Sequence, residues 1–261
     1  VTLILAQTDE YARRFIDLGC SPQQVRVTGS LKYDTAQTEA DSAGARRLAE
    51  QINLGNERLW VAGGTGPGEE QIVLNIFKTV RQDPALSDLR LALIPRKPER
   101  FGEVAGLIEQ AGFQFVRFSQ LKEQNTAISG KPPVILGDTM GDLGKFYALA
   151  SVVFVGRTMT PMGGSDMMEP AALGKCTLFG PHTFNFRQTV QDLLSAGGAI
   201  EVKHPQELLQ MTQKCLSDPV FASQIADNGR TVIRNNQGAT LKTVEAIRQI
   251  LKSTLEKYSC F

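Results

Sequence analysis

The chain has 261 residues, 42% hydrophobic and 21% charged, a globular composition that excludes a disordered or low-complexity polypeptide. Its 28 Lys and Arg offset 27 Asp and Glu to a net charge of +1, which excludes a global basic field for nucleic acid and an acidic tail. With two histidines, His182 and His204, and four cysteines that form no CxxC pair, Cys20, Cys176, Cys215 and Cys260, a metal or dithiol centre is disfavoured and a reducing compartment is expected. No apolar run approaches the ~18–20 residues of a membrane helix, and no signal peptide is read. The start at Val1, inside an apolar run, predicts a piece of a longer protein.

Residues 1–6 are an unbroken apolar run, expected as a buried strand. Thr8 then caps a helix to about residue 18, with Asp9 and Glu10 in its first turn and Gly19 as its stop. Residues 25–28 predict a second strand, and the small polar residues from Asp34 to Gly44 predict an irregular connection. A longer series follows. Strands are expected at residues 59–63, 89–94, 113–118, 134–136, 152–155, 176–179 and 199–202. Helices are expected at residues 45–51, 68–81, 98–111, 140–150, 168–173 and 186–196, and over most of 205–255.

Strand–helix units of this length need crossovers, so they predict a doubly wound, mainly parallel α/β sheet of Rossmann-like type over residues 45–261. Residues 1–34 are then a βαβ piece of a different, incomplete domain, and residues 35–44 a linker. Ligands of such sheets bind at the carboxyl ends of strands, where strand order reverses. Four loops at predicted strand ends are unusual. Gly63-Gly64-Thr65-Gly66-Pro67-Gly68 would let backbone N–H groups and a helix N-terminus approach an anion, although a plain flexible turn would leave the same pattern. Ile94-Pro95-Arg96-Lys97-Pro98 puts a guanidinium fork just past a strand, where solvated charge and an N1 proline are the ordinary explanation. Gly137-Asp138-Thr139-Met140-Gly141-Asp142 combines a close-approach glycine with residues that helix capping alone would explain. The longest runs from Gly156 through Gly163, Gly164, Ser165, Asp166, Met167 and Met168 to Glu169, a carboxylate suited to vicinal ribose hydroxyls or to a helix first turn. His182, in Gly180-Pro181-His182-Thr183-Phe184-Asn185-Phe186, and Lys32, after Gly29-Ser30, are lesser candidates. No GxSxG, HExxH, Walker or kinase motif is present. The combination points to a nucleotide held by backbone amides and arginine.

In order along the chain, Gln7-Thr8-Asp9-Glu10, Val27 to Asp34, Pro95 to Phe101, Gly137-Asp138-Thr139-Met140-Gly141-Asp142-Leu143, Glu169 to Lys175 and Phe179 to Phe186 resemble the 3-deoxy-D-manno-octulosonic acid (Kdo) transferase family over nearly the whole sequence. The resemblance implies a two-domain GT-B glycosyltransferase fold, this chain being the end of the first domain plus the donor-binding second domain. It implies inverting transfer of Kdo from CMP-Kdo to a lipid A precursor in lipopolysaccharide synthesis, at the cytoplasmic face of the bacterial inner membrane, with no metal or other cofactor. CMP contacts fall on Pro95 and Arg96, on Met140, Gly141 and Asp142, and on the segment Asp166, Met167, Met168 and Glu169, with Glu169 on the ribose. Gly64, Thr65, Gly66, Gly163, Gly164 and Ser165 become candidate donor-loop residues. The family's general base and membrane contact belong to the first domain, so the isolated chain is expected to be soluble, to bind CMP and to transfer nothing. Two departures stand out: Gly64-Thr65-Gly66 replaces Ser-Thr-His, and Ser165-Asp166-Met167-Met168 replaces His-Asn-Pro-Leu. Both loops lose a histidine, which leaves open a UDP-sugar transferase or epimerase of the same fold, or a non-catalytic nucleotide-binding module.

Overall fold

The computed structural model describes residues 1–39 and 41–258, with side chains up to Lys252; Ala40, in the expected linker, and Cys260 lie outside the described residues. The chain divides into two compact units, Val1–Ala36 together with the stretch from Ile233 onward, and Gln37–Val232.

In the first unit β1 (Ile4–Ala6) pairs in parallel with β2 (Val25–Val27), Ile4 opposite Val25. Between them runs α1 (Asp9–Asp17), whose N-cap Thr8 accepts from the Tyr11 N–H. A short helix, α2 (Leu31–Asp34), follows where no element was predicted. The C-terminal residues expected in the large domain belong to this unit instead, and the reason is polar. The Asp34 carboxylate accepts from the N–H groups of Gly238 and Thr240, at 2.6 and 2.5 Å. The Gln237 amide donates to the carbonyls of Tyr33 and Ala36.

In the second unit, α3 (Ser42–Gln51) begins earlier than expected, because the Asp41 side chain caps the Gly44 N–H. Then come β3 (Leu59–Thr65), α4 (Glu69–Val80), β4 (Arg90–Pro95), α5 (Phe101–Gln110), β5 (Phe115–Arg117), α6 (Phe118–Gln124) and β6 (Val134–Leu136). The chain continues with α7 (Leu143–Leu149), β7 (Val152–Val155), α8 (Met168–Ala172), β8 (Cys176–Phe179), α9 (Arg187–Ser195), β9 (Ile200–Glu201) and α10 (Pro205–Ser217). Helix α11 (Pro219–Asn236) contains the boundary between the units, and α12 (Ala239–Tyr258) follows in the first. The missed helix α6 forms because Asp138 accepts from the Ser119 N–H and hydroxyl, which stops β5 short of its expected length.

The seven strands lie in the order β5-β6-β4-β3-β7-β8-β9, every pair parallel. Strands β3, β4, β7 and β8 are buried at every residue, as their unbroken apolar runs require of strands covered on both faces. Trp60, Phe77, Phe154 and the surrounding Leu, Ile and Val side chains form the core. From β3 the chain steps first to β4 on one side and later to β7 on the other. That reversal opens a crevice at the carboxyl ends of β3, β4 and β7.

Candidate functional site

The unusual loops follow β3, β4, β6, β7 and β8, so the parallel sheet delivers all of them to one edge. Their contacts interlock. The Arg96 N–H donates to the Thr65 carbonyl at 3.0 Å, and the Ser165 N–H to the Gly156 carbonyl at 3.0 Å. The Asn185 N–H reaches the Gly163 carbonyl, and the His182 N–H the Thr158 carbonyl. Gly156 admits no side chain, since a Cβ there would lie 2.4 Å from the Thr65 Cα. The two departures from the family pattern touch each other. Ser165 Oγ donates to the Gly64 carbonyl at 2.7 Å and occupies the space of a Gly64 side chain, while Met162 Sδ and Arg157 fill the space of a Gly66 side chain. Gly64 also has a left-handed φ of 66°, which resists the family's serine.

In the glycine-rich turn after β3, expected to offer its amides to an anion, the Gly66 N–H is already taken. Glu69, the first residue of α4, is buried and takes it. Its carboxylate accepts from Gly66 at 2.9 Å, Arg157 at 2.5 Å, Thr158 at 2.8 Å and Met159 at 2.8 Å, all through backbone N–H groups. An internal carboxylate therefore ties the turn after β3 to the loop after β7. Burial pushes the Glu69 carboxyl above the usual carboxylate range, and the four N–H groups oppose that push. No local pattern marks Glu69 for this role, since its partners lie up to 90 residues away. Behind it Glu70 forms a buried two-pronged pair with Arg100, at 2.6 and 3.1 Å, which ties α4 to the loop after β4.

Other candidates separate into occupied and open groups. Asp142 is buried and already accepts from Lys122 Nζ (2.6 Å), Thr139 Oγ1 (2.7 Å) and Lys145 Nζ (2.8 Å). Burial pushes its carboxyl up, but those partners hold it below the usual range. Met167 and Met168, expected at the donor, are 0% and 3% exposed, packed into the core at the start of α8. The Asp166 carboxylate receives the Met168 N–H at 2.8 Å. Thr65 is buried, with its hydroxyl unpartnered. Lys32 lies on α2, in the first unit. By contrast, the Arg96 side chain is exposed at the end of β4, and neither it nor the Glu169 carboxylate has a hydrogen bond or ion pair among the described residues. Burial, reinforced by Asp166, raises the Glu169 carboxyl above its ordinary range. Pro95 closes β4 just before Arg96, Met140 stands 60% exposed beside Gly141, and His182 is half-buried. Cys176 and Cys215, far apart in sequence, meet at 3.5 Å in the core. Among the described residues no three His, Cys, Asp or Glu could together hold a metal ion, and no helix is long and apolar enough to cross a membrane.

The profile of a family described as 3-deoxy-D-manno-octulosonic-acid transferase (kdotransferase) matches residues 1–35. The 3-deoxy-D-manno-octulosonic acid transferase of Haemophilus influenzae is 30% identical over 260 residues, covering 97% of this chain and 58% of that protein. The enzyme of the same description from Bordetella pertussis is 32% identical over 263 residues, covering 95% and 56%. The chain thus spans about half the length of the curated relatives it matches. Among solved structures, the C-terminal CMP-Kdo binding domain of WaaA from Acinetobacter baumannii is similar with a TM-score of 0.66 at 28% identity, over 73% of this chain and 96% of that one. A UDP-N-acetylglucosamine 2-epimerase structure from Listeria monocytogenes, titled as putative, has a TM-score of 0.61 at 15% identity, over 96% and 60%. The second likeness shows fold alone, the arrangement of GT-B glycosyltransferases.

Proposed function

The chain belongs to the 3-deoxy-D-manno-octulosonic acid transferase family, and from that premise we propose that it is the donor-binding half of an enzyme moving Kdo from CMP-Kdo to a lipid A precursor. The observation that carries the reading is the pairing of two unspent groups. The Arg96 guanidinium follows β4 and the Glu169 carboxylate follows the β7 loop, one on each side of the strand-order reversal. Glu169 accepts from the ribose hydroxyls and Arg96 meets the phosphate. As the bond from the anomeric carbon to the phosphate oxygen breaks, negative charge grows on the departing CMP. A fixed donor aimed at that charge is worth ~3 kcal/mol of barrier. A nucleoside monophosphate leaves with less charge than a diphosphate, so the reading calls for no metal.

In this reading the acceptor hydroxyl attacks with inversion. The base that takes its proton, the acceptor surface and the contact with the cytoplasmic face of the inner membrane belong to the family's first domain. The test is calorimetric titration of the chain with CMP and with UDP. CMP is expected to bind at least about tenfold more tightly. Preference for UDP would support a UDP-sugar enzyme instead, and binding of neither would support a non-catalytic module.

A further inference from the structure

Tyr147 on α7 is wholly buried, and its phenol oxygen has no hydrogen-bond partner. It rests against β3 near its carboxyl end, where a Cβ added to Gly63 would lie 2.4 Å from the Tyr147 hydroxyl. A buried hydroxyl without an acceptor costs folding free energy that phenylalanine, of nearly the same shape, would avoid. One turn earlier on the same face of α7 is Gly144, and Glu169 Oε1 lies 2.5 Å from where its Cβ would be. Helix side chains lean toward the preceding turn, which carries the Tyr147 ring toward the turn that Glu169 covers. Among the described residues, the charged and titratable groups that act on Glu169 are Asp166, from its own loop, and Tyr147, from α7. Lys145, also on α7, is bound to Asp142. Burial, and then the charges of Glu169 and Asp166, hold the Tyr147 phenol well above its ordinary range, so it stays a proton donor.

We propose that Tyr147 is a positioning residue, whose hydroxyl donates to the inner oxygen of Glu169 when nucleotide is bound and turns the outer oxygen toward the ribose. The inference rests on the assignment of Glu169 to the ribose, and it makes the site selective for ribonucleotides over deoxyribonucleotides. The test titrates the chain and its Tyr147→Phe and Glu169→Gln variants with CMP and 2′-deoxy-CMP, from about pH 5 to 8, with melting temperatures alongside. Tyr147→Phe should lose about fivefold in CMP affinity and little for 2′-deoxy-CMP. Its acid limb of CMP binding should move to higher pH, because the Glu169 carboxylate loses a donor that favours its ionised form. An unmoved limb with unchanged CMP affinity overturns the proposal. So does an equal loss for both nucleotides with a lowered melting temperature, which is what packing alone would give. If Glu169→Gln leaves the preference for CMP over 2′-deoxy-CMP intact, the ribose assignment itself falls. If Glu169→Gln abolishes that preference and Tyr147→Phe does not change it, only the role of Tyr147 falls. Absence of CMP binding by the unaltered chain overturns both.

Discussion

Around Glu69 the charge is spent: one buried carboxylate satisfies four backbone N–H groups from two loops. Around Arg96 and Glu169 the reverse holds, for a cation and an anion stand at the same sheet edge with nothing among the described residues bonded to either. The contrast separates scaffold from site more sharply than loop composition does. Both regions are glycine-rich and both follow strands, yet only one has chemistry left over.

The comparison can be broken most forcefully at Glu69. Glu69→Ala strands four donors in a dry interior and should cost about 3–5 kcal/mol in urea unfolding. A loss under about 1 kcal/mol would mean that the loop after β7 holds its shape without the carboxylate. Next in size, under the proposed function, is Arg96→Ala in the whole enzyme, which should lower turnover about a hundredfold with stability changed by less than about 0.5 kcal/mol. Loss of stability instead would move Arg96 to the scaffold side. The mildest test concerns Asp142, which sequence reading placed at the donor and the structure binds to two lysines. Asp142→Asn should cost about 1 kcal/mol at pH 7 by thermal unfolding. Because the native carboxyl is held below its ordinary value, that difference should shrink as the pH falls below about 4 and vanish only once the native carboxyl is itself protonated. A difference that grows in acid would contradict the ion pairs.

The strands were legible because apolar runs such as Leu91 to Ile94 and Val152 to Val155 have no solvent face to give up. Parallel topology then put the glycine- and proline-rich turns on one edge without further information. What could not be read was partnership across sequence. The bond from Met159 to Glu69 and the capping of α6 by Asp138 join residues that no local pattern links. The same blindness hid the burial of Met167 and Met168, which share a loop with exposed Asp166 but face the opposite way. It also hid the place of the last helix, since the periodicity of α12 says nothing about Asp34, more than 200 residues earlier, as its cap.

That cap has a practical corollary. Residues 37–232 form one uninterrupted stretch, whereas the smaller unit joins residues 1–36 to the stretch from Ile233 onward through bonds such as that of Thr240 to Asp34. A change at the start of α12 is thus an edit to the unit that holds Asp34, and its consequences should be sought there first.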